Sequence, residues 1–301
     1  MFNTCILLST YNGERYLREQ LDSLLLQQAD IIIRDDGSND NTLGIITDFC
    51  NRFPDRVKIL ETTGNMGVAM SFITLLRYAV SQAYDYCFFC DQDDVWLPEK
   101  CARALQKIGT ADAPALYFSR KKIVDGDLRP MDALDRVSYR GDFWDCFAYS
   151  NVYGCTMCLN KPLAELAIKN DYTGKRYLHD AFIYRMAITV GATVIYDDWE
   201  SLLYRQHGGN VVGTVGSKGI GDKISKDTGK KRKHYMQEMM RDILGSCGAQ
   251  LPEKTGKIVN MVSCYNKDGK TKLALLKEVA FSNANPALKA KLIVKIAGDI
   301  L

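Results

Sequence analysis

Residues 86–96 read YCFFCDQDDVW, a short apolar and aromatic run that ends in three carboxylates, Asp91, Asp93 and Asp94. Its length and its Tyr and Phe content predict a buried strand. The carboxylates then fall at the strand's carboxyl end, where open α/β sheets bind their ligands. Asp91 and Asp93 are two residues apart, so an extended or gently turning backbone can aim both at one hard cation. Like charges at the edge of a core cost free energy unless something positive sits among them. A divalent metal carrying a phosphorylated ligand meets that need, since Mg²⁺ is usually held by one or two carboxylates plus substrate phosphates. The competing reading is a solvated turn in which Asp93 or Asp94 caps a helix begun by Pro98.

Outward from this stretch, strand and helix alternate. Apolar runs predict strands at 4–9, 31–34 and 57–60, and helical spacing predicts helices over 14–27, from Asn41 or Thr42, and over 68–83. Three such alternations imply a parallel sheet of right-handed βαβ units. The polar clusters TYNGE (10–14), DDGSND (35–40), TTGNMG (62–67) and DQDD (91–94) each occupy a strand-to-helix connection. All four therefore meet at one edge of the sheet. Carrying Asp35, Asp36, Asp91 and Asp93, that edge is too acidic to hold a phosphate without a metal. No G-x-G-x-x-G follows the first strand and no G-x-x-x-x-G-K-[ST] occurs, which argues against dinucleotide and P-loop sites. Asp35 and Asp36 fit either a tight turn with Gly37 at positive φ or a carboxylate that receives a base or ribose.

Downstream, residues 115–119 and 121–124 look like a strand pair. GDFWDCFAYSN (141–151) reads as a short aromatic helix, followed by a strand over 152–159 and a helix over 162–168. Tyr139, Phe143, Trp144, Phe147, Tyr149 and Tyr153 read mainly as core, with one or two left as a platform for a sugar ring. Asp180 opens a helix carrying Phe182, Ile183, Met186 and Val190. It either favours the positive end of the helix dipole or serves as a general base on a rigid element. A strand over 202–206 leads into a polar, glycine-flanked loop, where His207 is a candidate metal ligand. Two CxxC spacings, Cys87/Cys90 and Cys155/Cys158, do not read as zinc sites: in a strand, residues three apart point to opposite faces. They read as buried small hydrophobes.

At 301 residues the chain can bury a full core, as one large α/β domain or two smaller ones. No apolar run approaches the roughly twenty residues that cross a bilayer. Strand-like CILLST follows without a basic leader and the ten cysteines are scattered, so a cytosolic location is expected, with no nucleic-acid partner. From Lys218 onward there are 17 Lys and Arg against 8 Asp and Glu, a net of +9; residues 1–217 carry 22 against 28, a net of −6. That tail reads as a glycine- and lysine-rich linker, then helices over 235–244, 257–265, 272–281 and 287–296. The last sets Leu288, Leu292 and Ile296 among Lys289, Lys291 and Lys295. It fits either an amphipathic helix on an anionic membrane or a helix packed on the rest of the chain with its lysines solvated.

Thr10-Tyr11-Asn12-Gly13, the 35–38 turn, the Asn65/Gly67 turn, Asp91-Gln92-Asp93-Asp94-Val95-Trp96, His179-Asp180 and the 204–210 segment YRQHGGN occur in this order. Together they resemble a family 2 glycosyltransferase of the GT-A fold, over about residues 3–214. The phrases FxDQDDVWxPxK and YRQHGxNVxG are similar to the bacterial rhamnosyltransferase-like branch. The resemblance implies that Thr10, Tyr11, Glu14, Asn65 and Gln92 contact the nucleotide, and Asp35 and Asp36 its base and ribose. It implies that Asp91 and Asp93 bring Mn²⁺ or Mg²⁺ to the donor diphosphate with His207 as a further ligand. Asp180 would be the base, and Arg205 would approach the diphosphate. The implied reaction is inverting transfer of a sugar, rhamnose from dTDP-L-rhamnose, to a glycan or lipid-linked acceptor in cell-surface polysaccharide synthesis. A UDP-hexose or UDP-HexNAc transferase is the alternative. A sugar-nucleotidyltransferase fits less well, because TYNGER is not a glycine-rich basic triphosphate loop; an inactive nucleotide-binding module would not need all three aspartates. The expected organisation is a nucleotide-sugar half (1–110), an acceptor and catalytic half (111–217), and a basic helical extension (218–301) that contacts the inner membrane face peripherally.

Overall fold

A computed structural model of the chain describes residues 3–207 and 234–301, apart from 62–63, 111, 134, 136, 138, 140, 148–151 and 170–176. The YCFFC run is β4 (Tyr86–Cys90), buried at every position and parallel to β1 (Thr4–Thr10). On the far side of β1 lie β2 (Asp30–Asp35) and β3 (Val57–Ile59), also parallel. Central strands covered on both faces need continuous apolar runs rather than alternation, which CILL and YCFF supply. The crossovers are α1 (Leu17–Leu25), α2 (Thr42–Arg52) and α3 (Val68–Ser81). Leu8 is in register with both Ile33 and Cys90, so three strands deliver their following loops to one edge.

Past β4 the direction reverses. β7 (Met157–Asn160) pairs antiparallel with β4 and with β6 (Ala115–Val124). β8 (Thr193–Arg205) runs parallel to β6 and antiparallel to β5 (Val95–Trp96). The sheet has eight strands in the order β3-β2-β1-β4-β7-β6-β8-β5. Helices α4 (Lys100–Ile108), α5 (Lys161–Ala167) and α6 (His179–Thr189) complete this part.

Three elements differ from expectation. The strand pair at 115–119 and 121–124 is the single strand β6, with register shifts against β8 at Ser119/Arg120 and Arg120/Lys122. The break in alternation is a bulge, not a turn. The strand expected over 152–159 begins only at Met157. A 3₁₀ turn, Gly154–Thr156, precedes it, closed by Thr156 Oγ1 donating to the Tyr153 carbonyl at 2.8 Å. β8 starts nine residues before 202, at Thr193, through the polar segment YDDWE. Buried Asp197 is tolerated there because Arg103 (2.6 Å), Lys107 (3.3 Å) and Tyr117 (2.9 Å) surround it.

The tail forms α7 (Tyr235–Cys247), α8 (Glu253–Cys264), α9 (Gly269–Ala280) and α10 (Pro286–Ala297). Met239, Met240, Ile243, Val259 and Val262 join one core with Phe72, Phe182 and Met186. Leu288, Leu292 and Ile296 are buried in that same core, so of the two readings of this apolar stripe the packed helix is the one realised. The glycine- and lysine-rich linker lies outside the described residues. Among those described, no helix is long and apolar enough to cross a membrane.

Candidate active site

The loops at the sheet edge hold one another through side chain–backbone bonds. Tyr11 N donates to Gln92 Oε1 (2.8 Å), Asn12 N to Ser38 Oγ (2.8 Å), Gly13 N to Thr42 Oγ1 (2.8 Å) and Glu14 N to Asp40 Oδ2 (3.1 Å). In return, Asn39 N donates to Asn12 Oδ1 and Asn41 N to Glu14 Oε2, both at 2.8 Å. Gln92 also donates from Nε2 to the Tyr11 carbonyl at 3.0 Å, so its amide pairs with both sides of residue 11. Gly13 leaves room for this pairing: a Cβ there would sit 2.3 Å from Gln92 Oε1 and displace the amide.

Asp35 realises the tight-turn reading. It accepts from Thr10 Oγ1 (2.9 Å), Gly37 N (3.1 Å), Ser38 N (2.8 Å) and Ser38 Oγ (2.5 Å), with Gly37 at φ +87°. Asp36 reaches the next loop, accepting from Met66 N and Gly67 N at 2.8 Å each while Arg34 pairs with it at 2.6 Å. Both carboxylates are buried, and such bonds to ionised acceptors are the stronger kind. Neither Asp93 nor Asp94 caps α4, whose N-cap is Glu99. DQDD leads into β5 instead.

These loops ring a cavity of about 320 Å³. Thr10, Tyr11, Asp36 and Asn65 line one side; Asp91, Gln92, Asp93 and Asp180 line another, with Tyr153 and Tyr204. Asp180 sits in the first turn of α6 and accepts from Gly154 N (3.1 Å) and Ala181 N (2.6 Å). Asp91 is pushed up to about 7, by burial first and then by Asp93 and Asp180. Asp94 is held far above the carboxylate range by burial, then by Asp93 and Asp91. One of its oxygens accepts from Arg205 N at 3.2 Å, and the other, Oδ2, has no hydrogen-bond partner among the described residues. The site is thus an acidic cluster in which burial and neighbouring carboxylates oppose the ionisation of Asp91 and Asp94.

Of the metal ligands read from sequence, Asp93 and His207 are joined directly, Oδ2 to Nε2, at 2.6 Å. Asp91 stands with a different pair: its carboxylate, that of Asp94 and the Cys155 thiol lie within 4.8 Å of one another. Burial pushes that thiol well up, so it stays protonated and offers a hard cation little. Asp91, Asp93 and His207 supply the oxygen and imidazole donors that Mn²⁺ or Mg²⁺ takes, and the unpartnered Asp94 oxygen marks the local excess of acid.

Glu14, Asp35, Arg205 and His207 are outside the cavity lining. Arg205 is almost wholly buried and committed to protein, donating to the Asp93 carbonyl (2.8 Å), the Gly126 carbonyl (2.6 Å) and Glu19 (2.5 Å). A diphosphate contact from that guanidinium would need these bonds broken. Of the aromatic residues, Phe143, Trp144 and Phe147 pack on each other, Tyr153 reaches the cavity, and Tyr149 lies outside the described residues.

Lys100 and His179 stand inside the motifs quoted from the sequence, but neither was given a role there. Lys100 is buried beside the acids, 3.7 Å from the Trp96 ring centroid, with Nζ donating to the Cys155 carbonyl. A lysine two residues after a proline at a helix start carried no signal of burial. His179 is stacked on Phe72 at 4.2 Å, and burial pushes it down to about 4. Its neighbour Asp180 drew the reading because a carboxylate offers more obvious chemistry.

Sheet order, crossovers and helical tail define a fold of the GT-A type. The family model described as Glycosyl transferase family 2 matches residues 5–165, and the chain belongs to that family. It is 32% identical to the dTDP-rhamnosyl transferase RfbG of Shigella flexneri over 215 residues, 68% of this chain and 73% of that protein. The structure is also similar to S. aureus TarS 1-349 in complex with UDP: TM-score 0.56, 15% identity, covering 99% of this chain and 80% of that one. The mannosyltransferase PcManGT of Pyrobaculum calidifontis, in complex with GDP-Man and Mn²⁺, gives TM-score 0.55 at 15% identity and the same coverages. At such identities these two likenesses bear on fold alone.

Proposed function

We propose that the chain is an inverting glycosyltransferase that moves L-rhamnose from dTDP-L-rhamnose to a glycan or lipid-linked acceptor in bacterial cell-surface polysaccharide synthesis. The observation that carries this reading is the single cavity shared by Asp180, the Asp91–Asp93 pair and the loop residues Thr10, Tyr11, Asp36 and Asn65. The choice of donor leans on the likeness to the Shigella dTDP-rhamnosyl transferase. In this reading residues 1–110 hold the nucleotide-sugar and residues 111–217 receive the acceptor, on the cytoplasmic side of the membrane. Glu14, Asp35, Gln92 and Arg205 serve the nucleotide through the loops they fasten.

The acceptor hydroxyl attacks the anomeric carbon as the bond from that carbon to the diphosphate oxygen breaks. Its proton passes to Asp180, and dTDP departs with the bonding electron pair. Asp91, Asp93 and His207 would hold the divalent ion, which when bound neutralises charge on the leaving diphosphate. The test is transfer from a panel of dTDP-, UDP- and GDP-sugars, with and without EDTA. EDTA-sensitive transfer from dTDP-L-rhamnose is expected. Preference for a UDP-hexose or UDP-HexNAc would overturn the donor and leave the transferase. Asp93→Asn should abolish the EDTA-sensitive turnover with an unchanged melting profile; undiminished activity would remove Asp93 from the metal site.

A further inference from the structure

Exposed apolar side chains gather at the end of the chain. Of the eleven large ones exposed among the described residues, five lie in the last 29: Leu273, Phe281, Ile293, Val294 and Ile300. Phe281 is 88% exposed, Val294 66% and Leu273 55%. On α9, Leu275 and Val279 face the core, while Lys270, Leu273, Lys277 and Phe281 follow helical spacing along an exposed stripe. On α10, Leu288, Leu292 and Ile296 are buried, leaving Ile293 and Val294 outside. The helices lie side by side and antiparallel, joined by Lys272 Nζ to the Ala297 carbonyl (2.9 Å) and Lys289 Nζ to the Ala280 carbonyl (3.4 Å). Their exposed stripes therefore border one surface.

We propose that this outer face of the α9–α10 hairpin docks onto an anionic lipid bilayer. The charge selects the occupant: residues 268–299 carry Lys270, Lys272, Lys277, Lys289, Lys291 and Lys295 against Asp268, Glu278 and Asp299, six against three for a net of +3, with Asp299 paired to Lys272 at 3.0 Å. A second copy of the chain would present the same excess of positive charge and repel it, whereas anionic headgroups complement it. Phe281 and Leu273 enter the headgroup–acyl boundary while Lys270 and Lys277 lay their stems along it and keep their ammonium groups in the headgroup layer. This surface is opposite to the Leu288 stripe, and the proposal does not depend on which sugar is transferred.

Flotation of the full chain with phosphatidylcholine vesicles, with and without phosphatidylglycerol, tests it. Binding is expected only to the anionic vesicles. Phe281→Ser and Val294→Ser should each weaken partitioning by about tenfold, and Lys270→Gln and Lys277→Gln by about fivefold each. Melting profiles and transfer to a water-soluble acceptor should be unchanged, because these side chains are exposed and far along the chain from the cavity residues. Absence of flotation, flotation indifferent to phosphatidylglycerol, or flotation untouched by all four substitutions would overturn the proposal. So would a fall in mass from dimer to monomer in the Phe281 variant without loss of flotation, which would assign the face to a second copy.

Discussion

Asp180 accepts from two backbone N–H groups, one on each oxygen, so Asp180→Asn removes the basicity and gives up one of these two bonds while the other can be kept. Nucleotide-sugar binding should survive, while transfer should fall by about 10²–10⁴-fold. Titration calorimetry with single-turnover kinetics separates the two; weakened binding with an intact rate would make Asp180 a donor contact. His179, one residue earlier, has no hydrogen-bond partner on either ring nitrogen among the described residues and is depressed from 6.5 to about 4 by burial. A depressed group binds its proton more tightly in the unfolded chain, so its contribution is whole above about 6.5 and is lost as pH falls towards about 4. That contribution is on the order of 3 kcal/mol. Thermal melts of His179→Phe should show a flatter decline over this window, with no loss of stability at neutral pH because the ring stack on Phe72 is kept. At this scale the legible residues were those whose neighbours in sequence share their chemistry, as in DQDD. The protein partners of Gln92 and Arg205 were not legible, because Tyr11 and Glu19 are 81 and 186 residues away.

Among elements, the 3₁₀ turn Gly154–Thr156 sets the distance between β7 and α6. A Cβ on Gly154 would lie 2.7 Å from His179 Nε2 and 3.6 Å from Asp180 Cβ. Gly154→Ala should therefore cost about 1–3 kcal/mol of stability and lower the transfer rate by displacing the first turn of α6. Denaturant titration beside kcat is the check, and equal stability with full activity would show that the turn accommodates a methyl. This turn was hidden in sequence because VYGCTMCL has the composition of a strand. β8 was hidden for the opposite reason: YDDWE looks like a loop until Arg103, Lys107 and Tyr117 from other elements neutralise Asp197. The parallel βαβ units were legible because apolar runs and turn residues report them locally. Strands that depend on distant partners were not.

For the whole molecule, the shared core decides what can be removed. Deleting everything after Val215 would uncover the faces that bury Met239, Met240, Ile243 and Val262 against α5 and α6. Such a truncation should aggregate or expose protease sites in the sheet domain, measurable by sedimentation and limited proteolysis; a soluble, active product would show that the tail is a dispensable layer. The excess of lysine after residue 218 was legible, but whether the helices pack or protrude was settled by contacts far from them in sequence.

The antiparallel junction at the centre of the sheet also has a consequence for synthesis. β4 pairs Tyr86 with Asn160, about 70 residues later. At roughly 5–20 residues per second, a ribosome needs about 4–15 s to deliver that partner. During that interval β1, β2, β3 and β4 can form their parallel ribbon, but Tyr86–Phe88 remains an open, apolar edge outside the exit tunnel. The strand that leads into the site, buried at every position once folded, is thus also one whose nascent chain gains from a chaperone.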